Sequence, residues 1–203
     1  MRLVVATGNA GKLAEIRRVL DGEGFDLVAQ SELGISDAEE TGCTFVENAL
    51  LKARHAARLS GLPALADDSG LLVDALGGAP GLHTARYAGL KASAADNMAK
   101  LLVALEHVPE TARSARFYAC LVLLRSADDP QPVIAEGVWH GRILTTSRGH
   151  GGFGYDPVFW DESHGASAAE LDPMVKNRIS HRGQALVALR ERLSTTPGSG
   201  KNR

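Results

Sequence analysis

The stretch that most restricts this chain is Ala64-Leu65-Ala66-Asp67-Asp68-Ser69-Gly70-Leu71-Leu72-Val73. Two apolar runs flank two adjacent carboxylates, a hydroxyl and a glycine. Pro63 precedes the first run, and Leu65 and Ala66 read as the end of a buried strand. Asp67 to Gly70 are then expected where that strand emerges, the place where ligands gather in an open α/β sheet. Two neighbouring aspartates repel, so the arrangement costs stability unless a cation compensates. Carboxylates beside a hydroxyl are hard oxygen donors of the kind Mg²⁺ prefers. The plainer reading is a solvated turn, since Asp, Ser and Gly are all turn residues.

The totals narrow the class. A chain of 203 residues makes one compact domain or two small lobes and can bury a core. A formal charge of −2 argues against a general nucleic-acid binder. Cys43 and Cys120 form neither a metal-ligand nor a disulfide pattern, which fits a reducing compartment. The opening Met1 to Ala6 turns to Gly, Asn and Lys before a signal-peptide core could form, and no apolar run reaches membrane-spanning length. The expectation is a cytoplasmic protein with no membrane partner.

Leu3 to Ala6 is a short apolar run, as in a buried strand. Thr7-Gly8-Asn9-Ala10-Gly11-Lys12 follows, and Leu13, Ile16 and Leu20 then recur at helical spacing. Such a glycine loop can aim backbone N–H groups and a helix start at an anion. Lys12 is disfavoured at a helix N-terminus on dipole grounds, but makes sense if it faces phosphate. The glycine spacing matches neither a Walker A loop nor a dinucleotide fingerprint, and a plain βα turn capped by Asn9 is the alternative. Leu27 and Val28 mark a second strand. Asp37 to Gly42 is an acidic loop. Thr44 and Glu47 predict a capped helix running to about Ser60, ended by Gly61 and Pro63, with Phe45, Ala49, Ala53 and Ala56 or Ala57 as its packing face. Glu40 and Lys52 are polar residues within reach of a sheet-edge site.

Beyond Gly77-Gly78-Ala79-Pro80-Gly81, Ser93 and Asp96 predict the start of a helix with Met98, Leu101, Leu102 and Leu105 on its buried face. Ala115 to Arg125 is the longest strand candidate, and Asp128-Asp129-Pro130 is a turn. Pro132 to Gly137 and Val138 to Leu144 read as a return strand and its continuation after a glycine bend. The pattern is an α/β protein with a mixed sheet. Gly149 to Pro157 is a second glycine-rich loop, in which Phe153 and Tyr155 are expected to be exposed and suited to stacking on a planar base. Asp156 could accept hydrogen bonds there. Lys176-Asn177-Arg178-Ile179-Ser180-His181-Arg182 gathers cationic side chains that could hold phosphate or base carbonyls. Ser180 can cap a last helix carrying Leu186, Leu189 and Leu193. Residues 195–203 read as a disordered tail.

These motifs, in this order, closely resemble those of the non-canonical purine nucleoside triphosphate pyrophosphatase family. The resemblance covers Val4 to about Leu193. It rests on Thr7 to Lys12, Glu39-Glu40-Thr41-Gly42, Phe45-Val46-Glu47-Asn48-Ala49, Ala66 to Leu71, Gly77 to Gly81, Gly151 to Pro157 and Ile179 to Gly183. It implies an elongated mixed β-sheet with flanking helices in two lobes (residues 1–194), with the nucleotide in the cleft between them, and a homodimer. It implies hydrolysis of ITP, dITP and XTP to the monophosphate and pyrophosphate with Mg²⁺. Thr7, Gly8, Asn9, Ala10, Gly11 and Lys12 would hold the triphosphate. Glu40 and Asp68 would serve the metal, Asp68 would also be the proton acceptor, and Ser69 would contact substrate. Phe153, Gly154, Tyr155 and Asp156 would form the base pocket, with Lys176 under the base and His181 and Arg182 reading its oxygen. Asp172-Pro173-Met174-Val175 departs from the acidic helical turn expected before the lysine.

Chemistry leaves one point open. A carboxylate bound to Mg²⁺ has a lowered pKa and is a poor base. Either Asp68 works through a metal-held water, or Asp67 shares the duty. The competing readings are a similar pyrophosphatase acting on pyrimidine or modified nucleotides, and a non-catalytic nucleotide-binding module. The second gains nothing from Glu40, Asp67 and Asp68 unless a metal is involved.

Overall fold

The computed structural model describes residues 1–20 and 24–195. Strand β1 (Arg2–Ala6) leads into helix α1 (Ala10–Leu20) and strand β2 (Asp26–Ala29). β2 lies parallel to β1, with Arg2 opposite Asp26 and Val5 opposite Ala29. Helix α2 (Phe45–Ser60) precedes β3 (Ala64–Val73), which pairs parallel to β1 with Val4 opposite Ala64 and Ala6 opposite Ala66. Helix α3 (Ala94–Ala104), β4 (Ser114–Leu124), β5 (Val133–Ile143), β6 (Phe159–Asp161), β7 (Ala166–Ser167), α4 (Pro173–Ile179) and α5 (His181–Thr195) complete the chain. The strand order is β2-β1-β3-β4-β5-β6-β7. β5–β6 and β6–β7 are antiparallel, so the sheet is mixed, as the alternation of βα units and meanders predicts.

Helix limits follow local chemistry. Thr44 caps α2: its hydroxyl accepts the Glu47 N–H, while the Glu47 carboxylate accepts from the Cys43 N–H at 2.8 Å. Gly61 ends the helix at φ 67°, a left-handed conformation that costs glycine little. Ala49, Ala53, Ala56 and Ala57 are buried, and their short side chains allow close approach to a sheet. Ser93 and Asp96 form a full capping box on α3. Asp172 accepts the N–H groups of Met174 and Val175, with Pro173 in the first turn of α4. The departure noted at Asp172 to Val175 is therefore a helix start, which brings Lys176 into α4.

The chain divides into two compact units. Unit one comprises residues 1–68, 119–137 and 182–203, and its core includes Leu3, Val5, Ile16, Leu65, Leu121 and Leu186. Unit two comprises residues 69–118 and 138–181, and its core includes Leu71, Leu101, Phe117, Trp139, Val158 and Phe159. Both cysteines are free thiols, Cys43 exposed and Cys120 buried. Burial pushes the Cys120 thiol up to about 12. Among the described residues no helix is long and apolar enough to cross a membrane.

Three expectations change. β3 does not end at Ala66 but runs unbroken to Val73, so Asp67 to Gly70 lie inside a strand. β5 likewise continues through Gly137 as one strand. Helix α5 extends to Thr195, and residues 196–203 of the expected tail lie outside the described residues.

Arg113 in unit two had no motif to announce it. It is buried and donates to the carbonyls of Leu105 (2.7 Å), Val108 (3.0 Å) and Leu144 (3.3 Å). Leu105 and Val108 follow the end of α3, where helix carbonyls need outside partners. Arg113→Leu is expected to lower unfolding free energy by about 3 kcal/mol, the cost of orphaned buried carbonyls. Urea unfolding of the two proteins side by side measures it.

Candidate active site

Two neighbouring aspartates inside one strand are tolerable because successive strand residues face opposite ways. Asp67 faces α1 and α5. Its Oδ1 accepts from Lys12 Nζ at 2.7 Å and its Oδ2 from Arg182 Nε at 2.6 Å. Arg182 Nη1 donates in turn to Glu15 Oε2. Asp68 takes the other side, where Lys52 Nζ from α2 reaches Asp68 Oδ1 at 2.6 Å and Glu40 Oε1 at 3.2 Å. The repulsion anticipated from the sequence is relieved by geometry and by three cations.

The environments separate the two carboxyl groups chemically. Burial raises the Asp67 pKa, but the charges of Arg182 and Lys12 outweigh it and hold the group well below the usual carboxylate range. Asp68 moves the other way: burial raises it, Lys52 offsets part of that, and the Glu40 charge adds to it. Lys52 itself is raised, since Asp68 and Glu40 outweigh its burial. Burial lowers Lys12 more than Asp67 restores it.

The glycine loop is ordered by its own side chains. The Thr7 hydroxyl accepts the Asn9 N–H at 3.1 Å, and Asn9 Oδ1 accepts the Lys12 N–H at 3.0 Å. Asn9 therefore does cap α1, and residues 8–10 remain exposed. The loop thus combines the two readings that the sequence left open: a capped βα turn and an open backbone.

Glu40 and Asp68 fit a divalent cation. Mg²⁺ needs one or two hard carboxylate ligands when water and substrate phosphate fill its remaining positions. Oxygens from Glu40 and Asp68 already converge on one positive charge, the Lys52 ammonium. No group of three or more His, Cys, Asp or Glu suited to a metal occurs among the described residues.

Unit two carries a second constellation. Asp156 is buried, and its Oδ2 accepts both Lys176 Nζ at 2.6 Å and the Phe153 N–H at 2.8 Å. At Gly152 (φ 71°) a Cβ would collide with that carboxylate, so glycine is required twice over. The ammonium of Lys176 stands 5.0 Å from the centre of the half-buried Phe153 ring. Tyr155 differs from expectation. It is 3 % exposed, belongs to the core of unit two and donates its hydroxyl to Thr84 O at 2.9 Å. Its ring is taken into the apolar core of that unit, whereas Phe153 is half-buried.

His181 and Arg182, expected to act as a pair, go to different partners. The His181 ring stacks on Phe117 at 4.8 Å and 13°, whereas the guanidinium of Arg182 is committed to Asp67 and Glu15. Ser69 is half-buried on β3. Glu15 was missed from the sequence. Its one signal is its place three residues after Lys12, on the same side of α1.

A mixed sheet whose first unit carries a capped glycine loop and a convergent carboxylate pair, and whose second carries a buried Lys–Asp pair, belongs with nucleotide-handling α/β proteins. The chain is a member of the Ham1 family, which it matches over residues 3–192. A dITP/XTP pyrophosphatase of Xanthomonas campestris pv. campestris (strain 8004) is 62 % identical over 191 residues, 94 % of this chain and 96 % of that one. One from Vibrio cholerae serotype O1 is 55 % identical, covering 93 % and 94 %. The structure of a HAM1 protein from Coxiella burnetii superposes with a TM-score of 0.89 at 49 % identity, covering 97 % of this chain and all of that one.

Asp67→Asn should destabilise the fold by on the order of 3 kcal/mol at neutral pH, because Arg182 and Lys12 would keep buried charge without its partner. A carboxyl depressed on folding contributes stability above its unfolded value and loses it as pH falls through the folded one. The gap between wild type and Asp67→Asn in urea unfolding should therefore be full above about pH 4 and narrow below it.

Proposed function

We propose that this chain hydrolyses dITP, ITP and XTP to the monophosphate and pyrophosphate, keeping such nucleotides from incorporation into DNA and RNA. The observation that carries this reading is the convergence of Glu40 and Asp68 on one cation in the unit that also holds Lys12 and its loop. Carboxylates gathered beside a phosphate-binding loop repel substrate unless a divalent ion comes with it. The names of the curated relatives point to the same substrates.

In this reading Glu40 and Asp68 hold Mg²⁺. That ion supplies charge neutralisation for the polyphosphate. Thr7 to Lys12 bind the phosphates, through exposed backbone N–H groups and the Lys12 ammonium, and Ser69 contacts substrate. A water attacks the α-phosphorus, the bond to the bridging oxygen breaks, and pyrophosphate departs. Asp68 takes the proton from that water. Asp67, clamped by two cations, is a poor acceptor.

Phe153, Gly154, Tyr155 and Asp156 frame the base. Phe153 offers a ring face, Tyr155 supports the loop from within, and Asp156 fixes Lys176. Lys176 lies under the base, and His181 presents a donor to an oxygen at purine C6, where adenine carries an amino group, while Arg182 is held by Asp67 and Glu15. A site with donors aimed at that oxygen leaves them unpaired against adenine, which can discriminate by about 10⁴. The working form is proposed to be a homodimer in the cytoplasm, acting on free nucleotides rather than on nucleic acid or membrane.

Release of pyrophosphate from dITP, XTP, ATP, GTP and dUTP, with Mg²⁺ and with a chelator, tests the proposal. The expected result is fast, Mg²⁺-dependent turnover of dITP and XTP. Equal rates on all five, or turnover untouched by the chelator, would overturn it. Asp68→Asn is expected to cut kcat on dITP by about 10² or more, with the protein still folded by circular dichroism.

A further inference from the structure

We propose that Glu15 is a positioning residue for Lys12, acting through Arg182 and Asp67. The inference rests on the reading of Lys12 as a polyphosphate ligand. Three ionic contacts link the four side chains, and the turn of α1 between Lys12 and Glu15 closes them into a ring. Lys12 and Glu15 leave the same side of α1, three residues apart. Lys12 Nζ holds Asp67 Oδ1, Arg182 Nε holds Asp67 Oδ2, and Arg182 Nη1 holds Glu15 Oε2. Charges alternate around the ring and sum to zero. Every member is shielded: side-chain exposure is 15 % for Lys12, 11 % for Glu15, 2 % for Arg182 and none for Asp67.

The ring divides the labour of one carboxylate. Arginine and carboxylate favour a two-pronged grip that uses both oxygens. Glu15 draws Nη1 of Arg182 to itself, and Asp67 Oδ1 is left to Lys12. Without the Glu15 charge, the guanidinium turns further onto Asp67 and competes with the ammonium for Oδ1. Lys12 then loses the contact that aims it along the glycine loop. Small errors of aim in a charged ligand are expensive in rate. Glu15 touches no substrate in this scheme; its effect passes entirely through Lys12.

The test is a double-mutant cycle on the full chain: wild type, Glu15→Gln, Lys12→Met and the pair together. The readouts are kcat and KM on dITP with Mg²⁺, and binding of inorganic tripolyphosphate by calorimetry. Glu15→Gln is expected to lower kcat/KM by about tenfold and to weaken tripolyphosphate binding, as misplacement of one charged group would. In the Lys12→Met background the same change should alter either quantity by less than about twofold, because coupled sites are not additive. Glu15→Asp, which keeps the charge, should recover most of the loss. Losses that multiply independently in the pair would overturn the inference, as would an unaltered Glu15→Gln. Should Glu15→Gln fail to fold, Glu15→Ser, which also removes the charge, carries the same cycle with the same expected and overturning results. Absence of wild-type turnover would refute the proposed activity alone, since the tripolyphosphate cycle still reads the link between Glu15 and Lys12.

Discussion

Asp67 keeps a full negative charge in the interior of unit one, and the local architecture answers to that fact. An isolated carboxylate there would cost several kcal/mol, and a single partner removed from a buried pair costs nearly as much. The two cations that meet it come from the start of α1 and the start of α5. Neither helix can shift without exposing a charge to a poorly polar surrounding. The glycine loop before α1 is thus tethered at its far end by an ionic contact of high directional demand.

Asp68 shows what the same side chain does when the balance is different. Its neighbour Lys52 is shared with Glu40, so one ammonium serves two carboxylates. Negative charge is left in excess on that side of β3; burial raises the Asp68 pKa, and the Glu40 charge adds to it. Two adjacent aspartates are driven apart in acidity by surroundings alone. Unit two follows a different rule. There Asp156 and Lys176 satisfy each other in a buried pair, and the loop around Gly152 is shaped by that carboxylate.

Much of the fold could be read from local chemistry. Caps at Thr44, Asn9 and Ser93, the glycine stop at Gly61 and the alanine face of α2 are short-range effects that a sequence carries openly. The strand interiors misled where polar residues occupied them. Asp67 to Gly70 look like a turn because a turn usually hosts such residues, and the cations that permit them in a strand come from positions 12, 52 and 182. Tyr155 was misplaced for a related reason: its hydroxyl finds Thr84 O, a partner 71 residues away. The polar residues that meet in each unit could be picked out one by one, but their pairings could not. Glu15 and Arg113 each earn their place through contacts set only by the folded chain.

The opposed faces of Asp67 and Asp68 make β3 intolerant of slippage. Each aspartate is chemically identical to the other, yet their destinations cannot be exchanged. A single-residue deletion between Ala64 and Asp67 would reverse inside and outside along the strand. It would turn Asp68 toward the arginine and Asp67 toward the shared lysine, and both sets of contacts would fail together. Here the parity of a position along the chain carries as much meaning as the residue that occupies it.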